Sequence, residues 1–64
     1  MAYATDKATA QAFADRSNAS DAGKRKYELV RARVDLYGAD QWQVSVYELQ
    51  PDGGYAFNHQ ALIS

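Results

Sequence analysis

From Gln41 to Ile63, apolar and polar residues alternate on both sides of Pro51-Asp52-Gly53-Gly54, the pattern of a β-hairpin. In the first arm Trp42, Val44 and Val46 point one way, and Tyr47 and Leu49 point the other. Both faces of the hairpin therefore carry large apolar or aromatic side chains. Upstream, residues 5–19 read as a helix, rich in alanine and free of breakers. Thr5 is placed to cap its first turn, and Asp6 suits the positive end of its dipole. The apolar stripe of that helix is thin: Tyr3, Ala10, Phe13, Ala14 and Ser17, with Phe13 its only large core residue. Residues 18–23 form a stop-and-turn segment.

Residues 27–37 satisfy two periods. Val30, Ala32, Val34 and Leu36 alternate with Arg31, Arg33 and Asp35, as a strand requires. Tyr27, Val30, Val34 and Tyr37 also fit helical spacing, with Gly38 as a helix end. The β-branched valines favour the strand. The expected fold is α+β: one N-terminal helix packed on a three-stranded antiparallel β-meander, with strands near residues 26–37, 41–50 and 54–63. The alternative is two helices and a hairpin.

A turn at Gly38-Ala39-Asp40 sets Val34 against Val44, Ala32 against Val46 and Leu36 against Trp42, collecting one apolar face. The second turn has two parses. Pairing Gln50 with Tyr55 puts Phe57, His59, Ala61 and Ile63 on the Trp42 face. A type I turn with Gly53 as a left-handed bulge shifts the pairing by one and puts Ala56, Asn58, Gln60 and Leu62 there instead. Pro-Asp-Gly chemistry favours the bulge locally. Burying Phe57 contributes about 2 kcal/mol, whereas an unpaired buried amide costs about 1–3 kcal/mol. The first parse is therefore expected, with a core of Phe13, Val34, Trp42, Val44, Val46 and Phe57.

That register leaves the other face of the sheet to Leu29, Arg31, Arg33, Tyr47 and Leu49, with Tyr27, Tyr37 and Tyr55 around it and Arg31 across from Tyr47 as a cation–π pair. Tyrosine and arginine are the residues enriched at interface hot spots. The expected partner-binding residues are Tyr27, Leu29, Arg31, Arg33, Tyr47 and Leu49, offered to a protein partner or a second copy. Each of them singly is also an ordinary surface residue.

Size and composition sharpen this picture. Sixty-four residues make a single small domain spanning 1–64, near the lower limit for independent folding. Core burial and chain entropy nearly cancel at this size, which favours self-association into a homo-oligomer. Without cysteine there is neither a disulfide nor a thiolate metal site. The first residues lack the pattern of a signal peptide, and no run is long and apolar enough to cross a membrane, so a cytoplasmic protein without membrane contact is expected.

The candidate chemistry is sparse. His59 is the only histidine, and a lone histidine on an amphipathic strand is more often structural than catalytic. No nucleophile elbow, phosphate loop or paired carboxylates are recognisable. No catalytic residue, metal ligand, cofactor or small-molecule substrate is expected, and the chain reads as a non-enzymatic interaction module, a regulator, inhibitor or small subunit. Asn18-Ala19-Ser20 matches the glycosylation pattern by chance. The alternative is nucleic-acid binding. Lys24, Arg25, Lys26, Arg31 and Arg33 crowd into ten positions beside tyrosines that can stack on bases. Against it stand Glu28 and Asp35 within the stretch, a net charge of −1 and a pI near 5.6.

Overall fold

The computed structural model describes residues 2–21 and 23–63. The order of elements is α1 (Lys7–Asp21), β1 (Arg25–Arg31), α2 (Val34–Tyr37), β2 (Trp42–Leu49) and β3 (Tyr55–Gln60). The strands form one antiparallel sheet in the order β1-β2-β3, and α1 packs on one face of it. The fold is α+β, a helix followed by a three-stranded meander.

The first turn of α1 is closed by Asp6, not by Thr5. The Thr9 N–H donates to Asp6 Oδ2 at 3.0 Å, and the Thr9 hydroxyl donates to Oδ1 at 2.8 Å. These bonds, the backbone one first, hold the Asp6 carboxyl below its ordinary range. Thr5 instead joins the sheet, exchanging backbone hydrogen bonds with Trp42 at 2.9 and 2.7 Å. Tyr3 precedes the helix and is exposed, so it does not belong to the apolar stripe. The helix also runs on to Asp21, past the expected stop. Asn18 and Asp21 both bond to Tyr27, and these tertiary contacts hold the last turn. Ala22, in the expected turn segment, lies outside the described residues.

The buried stripe of α1 is Ala10 and Ala14, flanked by Phe13. Two alanines let the helix backbone lie close to Val44 and Val46, the largest fully buried side chains. Ala61 and Ile63 complete the cluster, with Phe13, Tyr27, Leu29 and Trp42 packed around it.

β1 differs from the expected strand in extent and in face. It ends at Arg31, where the Ala32 N–H closes the ladder on Gln41 O at 3.0 Å. The chain then makes one helical turn, α2, opened by Arg33 and stopped at Gly38, whose φ of 84° and ψ of 179° suit glycine alone. The ambiguous segment is strand in its first half and helical turn in its second. Register follows from the longer connection: Tyr27 faces Val46, Leu29 faces Val44 and Arg31 faces Trp42. Tyr27 and Leu29 therefore take the inner face in place of Val34 and Leu36, which stand 60% and 64% exposed. The exchange puts Tyr27 edge-on to Phe13 at 6.3 Å and gives its hydroxyl and backbone partners on α1. A tight turn at residues 38–40 offers neither.

The two parses of the second hairpin each hold over part of β3. Near the turn, Gly53 has φ 90° and its N–H donates to Gln50 O at 2.9 Å, the bulged turn that Pro-Asp-Gly chemistry favours. Leu49 then faces Tyr55, and Tyr47 faces Phe57. A β-bulge follows at Asn58, and beyond it Val46 faces His59 and Ala61 donates to Val44 O at 2.8 Å. The bulge moves the strand from one register to the other. Ala61 and Ile63 are buried as expected, whereas Phe57 lies outside the core, 57% exposed. Trp42, also expected in the core, is only half-buried.

Candidate functional site: the open face of the sheet

Cross-strand partners share a face, so the side opposite α1 can be read from the register. It carries Lys26, Glu28 and Val30 from β1, Gln43, Ser45, Tyr47 and Leu49 from β2, and Tyr55, Phe57 and Gln60 from β3. Its apolar part is continuous around the β2–β3 hairpin. Phe57 meets Tyr47 edge to face, with ring centroids 5.9 Å apart. Tyr55, opposite Leu49, donates its hydroxyl to Gly23 O at 2.7 Å and so reaches across the sheet toward the start of β1. Leu49, Tyr55 and Phe57 are all exposed. The other end of the face is polar: Gln60 Nε2 donates to Ser45 Oγ at 3.0 Å, and Ser45 is buried.

The expected partner-binding residues are not brought together. Tyr47 and Leu49 stand on the open face. Tyr27 and Leu29 lie under α1. Arg31 is on the α1 side, where its guanidinium sits 5.6 Å from the Trp42 ring centroid and 3.6 Å from an Asp40 oxygen. Lys7 lies 5.0 Å from the same ring, so the indole is flanked by two cations. The cation–π partner of Arg31 is thus Trp42 and not Tyr47, a direct consequence of the β1 register. Arg33 opens α2 and is held by Asp35 in two contacts, at 3.3 and 2.8 Å.

The basic stretch does not form a free positive stripe. Arg25 meets Glu48 at 3.4 Å and Lys26 meets Glu28 at 3.6 Å, so with the Arg31–Asp40 and Arg33–Asp35 pairs four of its five cations have a carboxylate neighbour. These exposed pairs contribute little to stability. They do cancel the local field that phosphate binding needs.

Sequence reasoning missed Val30 and Phe57 as members of the open face and placed Tyr55 only around it. The signal for the two aromatics was present in the bulged turn, whose pairing turns Phe57 outward. The burial of Phe57 that the core favours is outweighed because a second bulge downstream, at Asn58, returns Ala61 and Ile63 to the inner face.

His59 is exposed, with Nδ1 2.6 Å from Asn58 Oδ1. Among the described residues there is no pocket and no group of His, Cys, Asp and Glu able to hold a metal ion. No helix among them is long and apolar enough to cross a membrane. No family model, curated protein or solved structure matches the chain.

Proposed function

We propose that the chain is a small non-enzymatic binding module that meets a protein partner through the open face of its sheet. The observation that carries this reading is the cluster of exposed Leu49, Tyr55 and Phe57 around half-buried Tyr47, left uncovered because α1 occupies only the other face. Aromatic anchors already braced by neighbours lose little side-chain freedom on binding, and such residues dominate interface energetics. The carboxylates beside Arg25, Lys26, Arg31 and Arg33 weigh against nucleic acid as the ligand. A cytoplasmic setting goes with this reading on the cysteine-free composition.

The test compares the wild-type chain with a Leu49→Ser/Phe57→Ser variant, both immobilised in nuclease-treated extract of the source cell. A protein retained by the first and lost by the second is then purified, and its affinity is measured by calorimetry. The expected loss is about 2 kcal/mol or more if these side chains are hot spots, with an unchanged circular dichroism spectrum. Equal affinity for both chains would remove the open face as the binding site.

A further inference from the structure

The two edges of the sheet are built differently. On β1, antiparallel alternation turns the backbone groups of Arg25, Tyr27, Leu29 and Arg31 outward, because Lys24 O and the Ala32 N–H bond inward to β2. That edge is protected. Asn18 accepts from the Tyr27 N–H at 2.9 Å and donates to Tyr27 O at 3.0 Å, occupying the middle of it. Arg25, Lys26, Glu28 and Arg31 put charge along the rest.

Among the described residues, β3 has no such protection. Gln50 and Gly54 are a hydrogen-bonded pair, so Tyr55 and Phe57 are not bonded to β2 and their N–H and C=O groups point away from the sheet. Tyr55-Ala56-Phe57-Asn58-His59-Gln60 contains no Asp, Glu, Lys, Arg or Pro. Its residues from 55 to 59 are exposed. Both rings lie back over the sheet, Phe57 on Tyr47 and Tyr55 toward Gly23, and neither blocks the outer edge. The bridges made by Ala2 and Thr5 lie at Ile63 and Trp42, beyond the strand.

We infer that the β3 edge pairs antiparallel with the β3 edge of a second copy. Two-fold symmetry sets Ala56 against Ala56 of the second copy and Tyr55 against its Phe57. A pair that is not hydrogen-bonded brings Cα atoms to about 4.5 Å, and alanine leaves room there. Tyr55 and Phe57 each exchange backbone bonds with the facing strand, roughly four in all. A two-fold contact sets like residues near like, so any charge on the edge opposes itself. β1 fails that condition, and β3, having no charge, meets it. The two sheets join into one, and the aromatic clusters of the two copies become a single surface. The Asn58 bulge ends the ladder and keeps the pairing from extending along the chain. The inference names a second copy at the edge, and the open face stays free for the partner proposed above.

The experiment is sedimentation equilibrium over a wide concentration range. Wild-type mass rises with concentration from 7.1 kDa toward twice that value. Ala56→Glu and Ala56→Lys, each with an unchanged circular dichroism spectrum, stay monomeric because like charges meet at the axis. An equimolar mixture of the two regains the dimer. Val30→Glu, on the open face but in the far strand, leaves the wild-type mass curve unchanged. A wild-type chain that stays monomeric throughout overturns the inference, as does a dimer that survives both Ala56 changes or is lost in Val30→Glu. An Ala56 variant that loses the dimer but keeps its partner affinity separates this edge from the open face.

Discussion

Tyr27 joins three parts of the molecule through one residue. Its ring packs edge-on against Phe13, its backbone is held by Asn18, and its hydroxyl donates to Asp21 Oδ2 at 2.6 Å. The Asp21 carboxylate, with burial second, raises the phenol above its ordinary value of about 10, while Arg25 pulls the other way. A proton held more tightly in the folded state stabilises that state below the unfolded value, and the gain is lost as pH rises through the folded one. Wild-type stability should therefore be flat up to about pH 9.5 and fall above it. Tyr27→Phe should be less stable at pH 7 and lack that component of the alkaline fall. Urea melts of both chains from pH 7 to 11 read the difference, and parallel curves would place the Asp21 contact outside the energetics. At this scale much was legible. Val44 and Val46 stand at the centre of the core as their alternation indicates, and Ala10 and Ala14 face it as their spacing indicates. Local pattern puts Tyr27 on the surface, because its two polar partners, Asn18 and Asp21, lie on the helix and beyond the reach of that pattern.

At the scale of elements, the edge of β1 is closed by a side chain and not by another strand. Asn18 offers one donor and one acceptor at the spacing of a β-ladder, and the last turn of α1 sets it against Tyr27. Asn18→Ala should cost about 1–2 kcal/mol, because two backbone groups lose their partner but can turn to water. The Tyr27 amide should also lose its protection from hydrogen exchange, which the same variant tests by NMR. Unchanged exchange would mean that the helix covers that edge without the amide. The sequence pattern supported every strand, yet register was legible only in part. The bulged turn at Gly53 was readable from Pro-Asp-Gly, whereas the compensating bulge at Asn58 has no local signature and follows from the burial of Ala61 and Ile63. The β1 error had a similar origin. Gly38 does mark a stop with positive φ, but it ends a helical turn in a long connection and not a tight hairpin. The pairing shifts by five residues, so that Leu29 and not Val34 meets Val44, and an odd shift exchanges the faces of β1.

The whole molecule is a thin core closed by the N-terminal segment at one end, the end of the sheet away from the β2–β3 turn. Ala4 is buried. Ala2 and Ile63 exchange backbone hydrogen bonds at 3.0 and 2.7 Å, and Thr5 does the same with Trp42 at 2.9 and 2.7 Å. Thr5 thereby bonds the side of β2 that β3 has left, and ties the start of that strand to the chain leading into α1. Removal of residues 1–5 exposes four backbone groups on Trp42 and Ile63 and uncovers part of the apolar cluster. At about 1 kcal/mol per hydrogen bond the loss is about 4 kcal/mol before any apolar term. A domain of this length has only about 3–10 kcal/mol in total. The shortened chain should therefore be largely unfolded at 25 °C, or melt far below the full chain, with Trp42 emission shifted to the red. Circular dichroism and tryptophan fluorescence of the two chains side by side decide it. A shortened chain that melts within a few degrees of the full one would show that α1 and the sheet hold together without this strap. The candidate surface would then rest on the helix and three strands alone.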